Sequence, residues 1–317
     1  MGSGLPRRNR RLARAILGAA VCAAMCAVIA SSPTAAPKEI RAPQDAPAAK
    51  TKEKKTKKRP MVWAPPNVDV AVRGLANDPP CQVSEVLEQA GTRVTEMVSN
   101  LQNFTASEKI DYELLDNGGA LQDSGNGTFD YLVTFDKTAR LSVQETRTPS
   151  RNSYAFPASS EDKGLPEMAL IFLPRLQRDY EMTCEGLGMY NGKAAWVIAF
   201  HQRADKPAET LSFSGPMITT FQARLKGRAW IAKDSGEVVH LETSLMEAIP
   251  MMQVRDWMIS IDYGPVQFHS QDVTIWLPQK VDGYCQLDTK RRIVYHDFSD
   301  FQLFSVQTKQ VIDKPQN

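Results

Sequence analysis

The chain has 317 residues and a net charge of +2, from 38 lysines and arginines against 36 aspartates and glutamates. The charge is divided unevenly, because the residues before Cys81 include 15 basic and 5 acidic ones (+10), whereas those from Cys81 onward include 23 and 31 (−8). The basic character therefore belongs to the N-terminal part alone. The acidic remainder argues against a nucleic-acid-binding domain.

The N-terminus has the layout of an export signal. A cluster of arginines precedes an apolar run over residues 15–30, and Val28-Ile29-Ala30 provides a candidate cleavage site. We predict that residues 1–30 are a signal peptide and that the protein is periplasmic or otherwise exported. The alternative is an uncleaved inner-membrane anchor, although a spanning helix needs roughly 17 to 25 apolar residues. The arginines are Arg7, Arg8, Arg10, Arg11 and Arg14.

Residues 31–80 differ in composition and are rich in alanine, proline and lysine. Their apolar surface is too small to offset the entropy lost on ordering, which predicts a disordered tether. Within it a basic block runs from Lys50 to Arg59. This block serves either solubility and chain extension or electrostatic contact with a membrane surface that carries anionic lipids.

Residues 81–317 suit one β-rich domain that opens with a helix. Apolar residues recur at three- and four-residue spacing over residues 83–101, which predicts an amphipathic helix with Ser84 as its N-cap. Beyond it, alternating apolar segments separated by glycine-containing turns predict about ten or eleven antiparallel strands.

Three stretches interrupt this pattern of strands. Residues 148–164 are polar and predict a long exposed loop, residues 165–176 predict a short helix, and residues 203–221 predict an irregular insertion. The fold class expected is mainly β with α (α+β). A curled antiparallel sheet would form an open or half barrel, with the long N-terminal helix and the short helix packed in its concavity. An apolar lining would allow this concavity to hold an acyl chain.

The predicted domain has three cysteines, Cys81, Cys184 and Cys285. In an oxidising compartment an odd number allows one disulfide and one remaining thiol. Cys184 and Cys285 both lie in strand-like segments and are the preferred pair. The alternative is three buried reduced cysteines. No C-x-x-C spacing is present, so neither a redox motif nor a structural zinc site is predicted.

The sequence contains no motif that indicates catalysis or a cofactor. None of the four histidines, His201, His240, His269 and His296, has the spacing of a metal site. His240 and Glu242 share one strand face without a third partner nearby in sequence. Phosphate-binding glycine loops and G-x-S-x-G elbows are missing as well. We therefore predict no catalytic, cofactor-binding or metal-binding residues and no enzyme activity, with a hydrolase as the less favoured alternative.

Methionine and tryptophan side chains are the remaining candidates for ligand contact. An apolar, adaptable segment between two predicted strands has a composition suited to a lipid-facing rim or lid. Packing in the core is the competing interpretation. The residues proposed for an apolar ligand rim are Met246, Ile249, Met251, Met252, Trp230 and Trp257.

Several segments resemble the fold family of the periplasmic lipoprotein carriers and outer-membrane lipoprotein-sorting proteins. They are residues 228–232 followed by 235–239, which form a hairpin across a glycine turn, and then residues 275–278, Asp282-Gly283 and residues 295–304. The resemblance covers about residues 83–306. It implies a non-catalytic envelope protein that binds a lipid or the acyl chains of a lipoprotein in an apolar cleft. The alternative is a module for protein–protein interaction in the envelope, tethered by the basic linker.

Overall fold

The fold comes from a computed structural model, which describes residues 61–101, 103–137, 141–150, 168–207, 209–213, 219–269 and 272–304. The predicted signal peptide, the tether up to residue 60 with its basic block, and most of the predicted loop at 148–164 lie outside the described residues. Among the described residues, no helix is long and apolar enough to cross a membrane.

Within the described residues, ten of the twelve strands form a single antiparallel sheet in the order β3-β2-β1-β12-β11-β10-β9-β8-β5-β4. The end strands β3 and β4 do not pair with each other, so the sheet stays open, as predicted for a curled half barrel. The strands are β1 Asn103–Asp116, β2 Leu121–Asp136, β3 Ser142–Pro149, β4 Tyr180–Tyr190, β5 Lys193–Gln202, β6 Glu209–Phe213, β7 Thr219–Ala223, β8 Leu225–Ala232, β9 Val238–Leu245, β10 Val254–Phe268, β11 Val273–Leu287 and β12 Lys290–Phe304.

The remaining two strands correct one prediction. Residues 203–221 were expected to be irregular, but β6 and β7 pair as an antiparallel ribbon within this stretch. The ribbon leaves the sheet between the end of β5 and the start of β8, which themselves pair in the main sheet. This stretch therefore contains a two-stranded sheet separate from the main one.

The predicted N-terminal helix is confirmed as α1, Val83–Asn100. It buries the apolar stripe of Val86, Ala90 and Val94, which is why this periodicity forms a helix on the sheet. The N-cap is Gln82, so the assignment of Ser84 was wrong. Ser84 lies inside the first turn, and the Val86 amide donates to the Gln82 carbonyl at 3.1 Å.

We call the face of the sheet that α1 covers the inner face. A short helical segment packs on the same face, in contact with α1. A 3-10 helix, Met168–Phe172, leads into α2, Pro174–Gln177, where a single short helix was predicted. The side chains of Ala169 to Leu173 are buried in the main apolar core together with the α1 stripe. Gln177 Nε2 joins α2 to α1 and to the 3-10 helix, because it donates to the carbonyls of Leu87 at 2.9 Å and Phe172 at 2.7 Å.

On the opposite, outer face of the sheet lies an N-terminal strap, residues 61–80. Trp63 stacks edge-on against Tyr284 of β11, and Asp69 forms an ion pair with Lys226 of β8. Towards the end of the strap, Ala76 forms an antiparallel bridge with Leu187 of β4. This part of the predicted tether thus packs on the sheet, because its tryptophan, valine and leucine side chains supply the apolar contact that the lysine-rich part lacks.

The predicted disulfide between Cys184 and Cys285 is wrong, since Cys81 is bonded to Cys184 and Cys285 is buried outside this disulfide. The strand order explains the error. Cys184 lies on β4 and Cys285 on β11, with four strands between them. Five strand spacings amount to roughly 24 Å, whereas a disulfide needs Cα atoms within about 7 Å. The strap instead carries Cys81 to the edge strand β4.

Candidate functional site

The predicted ligand rim centres on the connection between β9 and β10. Ile249 and Val254 exchange backbone hydrogen bonds at 2.8 and 3.2 Å, which closes the base of the connection. The turn Pro250–Met252 forms its tip, and the Met251 side chain there is 86% exposed. Ile249 belongs to the main apolar core and Met252 packs against it. The connection therefore links the core to an apolar tip in solvent.

The structure does not bring all six predicted rim residues together. Trp257 lies in the main core with Ile249, on the inner face. Trp230 lies on the outer face, in a separate cluster with Ala195 and Val197. The period of two along a strand explains the separation, because neighbouring β8 residues point to opposite faces. Met246 follows the last residue of β9 and is partly exposed. The binding role of these residues stays a prediction.

Charged residues interrupt the apolar inner face near the β3 edge. Arg147 of β3 donates to both carboxylate oxygens of Glu108 on β1, at 2.6 and 3.0 Å. His296 of β12 lies 2.7 Å from Glu108 through Nδ1. Burial alone would raise the pKa of Glu108, but the hydrogen bond from His296 and the charge of Arg147 outweigh it and hold that pKa below its ordinary value. The network joins an edge strand to two strands of the sheet.

A second polar cluster lies on the outer face, and antiparallel register builds it. His240 of β9 lies directly opposite Asp262 of β10, and Glu242 lies opposite Ser260. His240 Nδ1 is 2.7 Å from Asp262 Oδ1, and the Tyr190 hydroxyl donates to the same carboxylate. The imidazole also stacks on the Tyr190 ring, with centroids 4.4 Å apart, and meets the Trp230 ring edge-on at 4.9 Å.

Electrostatics favour the charged form of this cluster. Burial would lower the pKa of His240, but hydrogen bonds to Asp262 and Glu242 outweigh it and raise that pKa. Burial would likewise raise the pKa of Asp262, yet the hydrogen bonds from His240 and Tyr190 lower it. Both shifts stabilise an imidazolium–carboxylate pair.

The cluster also contains the atoms of a Ser-His-Asp triad. His240 Nε2 faces Ser260 Oγ at 3.5 Å, while Nδ1 faces Asp262. A general base, however, needs a free lone pair on Nε2. That nitrogen also lies 3.5 Å from Glu242 Oε1, and the raised pKa of His240 favours the protonated ring. The geometry is therefore that of a charge cluster that holds β9 to β10 rather than that of an activated serine.

Sequence reasoning placed His240 and Glu242 on one face but missed their partners. Ser260 and Asp262 lie about 20 positions further on and reach His240 through the pairing of β9 with β10, whereas Tyr190 comes from β4, 50 positions earlier. The available signal was the alternation of polar residues within two otherwise apolar strands. For metals, the described residues contain no group of three or more histidine, cysteine, aspartate or glutamate side chains that could hold an ion.

Comparisons with known proteins concern the fold. No protein-family model and no curated protein matches the chain. Among solved structures it is similar to an outer membrane lipoprotein-sorting protein domain from Vibrio parahaemolyticus, with 13% identity, a TM-score of 0.40, and coverage of 71% of this chain and 95% of that chain. It is also similar to a DUF1329 family protein from Desulfovibrio piger, with 9% identity, a TM-score of 0.39 and the same coverage. The first is a lipoprotein-sorting protein domain, which is the class that the sequence resembles. Both similarities concern the fold alone.

Proposed function

We propose that this chain is an exported, non-catalytic envelope protein that binds a lipid, or the acyl chains of a lipoprotein, on the inner face of its sheet. The observation that carries the proposal is Met251, a large apolar side chain that is 86% exposed at the tip of the β9–β10 connection. An exposed apolar tip costs solvation free energy, and beside it Ile249 lies in the main core while Met252 packs against that core. We propose that ligand enters along this route.

Side chains fill the inner face at the place where such a ligand would bind. The run from Ala169 to Leu173 is buried in the same apolar cluster as the α1 stripe and the inner face of the sheet. We propose that an acyl chain takes the place of these side chains in the concavity. An acyl chain that replaced them would keep the core dry and would bury a comparable apolar surface.

Lipid extraction and thermal unfolding test the proposal together. The full chain, purified from an envelope fraction, would be analysed by native mass spectrometry and then extracted with organic solvent. Ligand that binds only the folded state raises the melting temperature. We therefore expect a stoichiometric lipid, and a higher melting temperature on addition of phosphatidylglycerol or a diacylated lipopeptide. An empty protein with no shift across both probes would refute the proposal.

A matched pair of substitutions tests the entry route. Met251→Gln removes the apolar tip, and Met189→Gln removes another exposed methionine, 67% exposed, near the end of the edge strand β4. The strand directions place Met189 at the opposite end of the sheet from the β9–β10 connection. We expect slower lipid uptake in the first variant and unchanged uptake in the second.

A second candidate function is a protein–protein interaction module. The N-terminal strap favours it, because contacts at Trp63, Asp69 and Ala76 hold the start of the domain firmly on the outer face. A specific protein that co-purifies with the chain in the absence of extractable lipid would support this candidate. Contact between the Lys50 to Arg59 block and anionic membranes stays a prediction under either function.

A further inference from the structure

Helix α1 is fastened to the β8–β9 hairpin by one arginine. Arg93 Nε donates to the carbonyl of Ser235 at 2.8 Å and lies 3.7 Å from the carboxylate of Glu237. Its Nη1 donates to Glu96 on the same helix at 2.8 Å. A single guanidinium therefore bridges the helix and the hairpin.

The helix and hairpin touch closely at this point. Gly236 has a φ of +73°, and a Cβ atom built there would lie 2.9 Å from Gln89 Cβ and 3.2 Å from the Gln89 carbonyl carbon. Only glycine fits both the left-handed backbone and the distance. The next residue, Glu237, lies at the same contact, and its side chain is only 19% exposed.

Burial makes Glu237 titrate near neutrality. Desolvation raises its pKa, Glu96 raises it further, and Arg93 lowers it, with a result of about 7. The groove of about 480 Å³ beside this contact is lined by further charged groups from both elements. They are Glu85, Glu88, Arg93 and Glu96 on α1, and Lys233 and Asp234 on the hairpin.

We propose that the burial of the Glu237 carboxyl against α1 is an acid-tightened latch, which holds the helix on the inner face more firmly at acidic pH than at alkaline pH, although the attraction to Arg93 opposes it in part. When the helix lifts, the Glu237 carboxylate gains water and its pKa returns towards the ordinary value of 4.5. The lifted state therefore binds fewer protons, and rising pH favours it.

The consequence concerns access to the core. Val86, Ala90 and Val94 of α1 cover the main apolar cluster, so a lifted helix exposes that cluster. If the inner face binds lipid, as the proposed function holds, the latch retains ligand at acidic pH and releases it more readily at alkaline pH. This second statement rests on the proposed function, whereas the latch itself does not.

Hydrogen exchange of the lipid-free full chain tests the latch directly. Backbone amides at Val86, Ala90 and Val94 would be followed from pH 5.5 to 8.5 and corrected for their intrinsic exchange rates. A shift in pKa from 4.5 to about 7 corresponds to an opening equilibrium up to about 30-fold larger at the upper pH. We expect this loss of protection in the native chain.

Two variants and one direct titration separate the outcomes. Glu237→Gln removes the ionisation and should leave α1 equally protected at both pH values, whereas Glu88→Gln, in the same groove, should behave as the native chain. Carbon NMR of the Glu237 carboxyl should show a midpoint near 7. Protection that is independent of pH in the native chain, or pH dependence that survives in Glu237→Gln, would overturn the latch. Failure to bind lipid with the exchange pattern intact would refute the proposed function alone.

Discussion

Arg147 and Glu108 form a two-bond ion pair in which the carboxylate is fully buried, with a side-chain exposure of 0%. The pair connects the edge strand β3 with β1, two strands away in the sheet, at the border of the main apolar core. Removal of one partner from a buried pair leaves an uncompensated charge, which is costly, whereas removal of both costs far less.

Glu108→Gln should therefore destabilise the protein strongly. We expect a loss of about 3–5 kcal/mol in the free energy of unfolding, because His296 then faces a neutral amide and Arg147 is left with its longer contact to the carboxylate of Glu145, at 3.5 Å. The matched control is Asp288→Asn, which breaks the exposed Arg255–Asp288 pair. Exposed pairs contribute about 1 kcal/mol or less. Urea unfolding measures both variants, and equal losses would contradict the interpretation.

The His240–Asp262 pair should make stability depend on pH. The raised pKa of His240 contributes stability that is complete below its unfolded value and is lost as pH rises through the folded value. The lowered pKa of Asp262 contributes stability above its unfolded value, which is lost as pH falls through the folded one. The pair is thus most stabilising between about pH 4 and 6.5.

Two glutamine variants distinguish the contribution of His240 to the pH dependence of stability from that of Glu237. The distinction is needed because Glu237 also makes the folded state more stable at acidic pH. His240→Gln should flatten the decline in melting temperature above pH 6.5 in part, and Glu237→Gln should remove the remainder. The double variant should show little decline from pH 6 to 8.5. A full decline in the double variant would assign the dependence to other groups.

Ser260 should be unreactive despite its position beside His240. The raised pKa of His240 favours the protonated imidazole, and its Nε2 also faces Glu242, so His240 is a poor acceptor for the serine proton. We expect no labelling by a fluorophosphonate probe at pH 7, as measured by mass spectrometry of tryptic peptides. Labelling that disappears in Ser260→Ala would instead show an activated nucleophile.

The disulfide should stabilise the domain through Cys81 and Cys184, 103 residues apart in sequence. The double substitution to serine should cost about 2–5 kcal/mol of unfolding free energy. Cys285→Ser serves as the control for loss of a cysteine. Peptide mapping of the native chain without reductant should recover Cys285 outside any disulfide. A mapped bond between Cys184 and Cys285 would contradict the strand order itself.

The helix, most strands and the open curled sheet could be predicted from the sequence because they depend on local periodicity. A stripe at three- and four-residue spacing forms α1, and alternation with glycine turns forms the hairpins of the sheet. The apolar character of the β9–β10 connection was also readable, since methionine and proline cluster there.

Only the tertiary structure decided which distant residues meet. Strand order joined Cys81 to Cys184 rather than Cys184 to Cys285, and register brought Asp262 and Ser260 to His240. Trp230 and Trp257 were separated because they point to opposite faces of one sheet. Composition and spacing act over a few residues of chain, whereas sheet order, register and facing depend on the free energy of the whole packed domain.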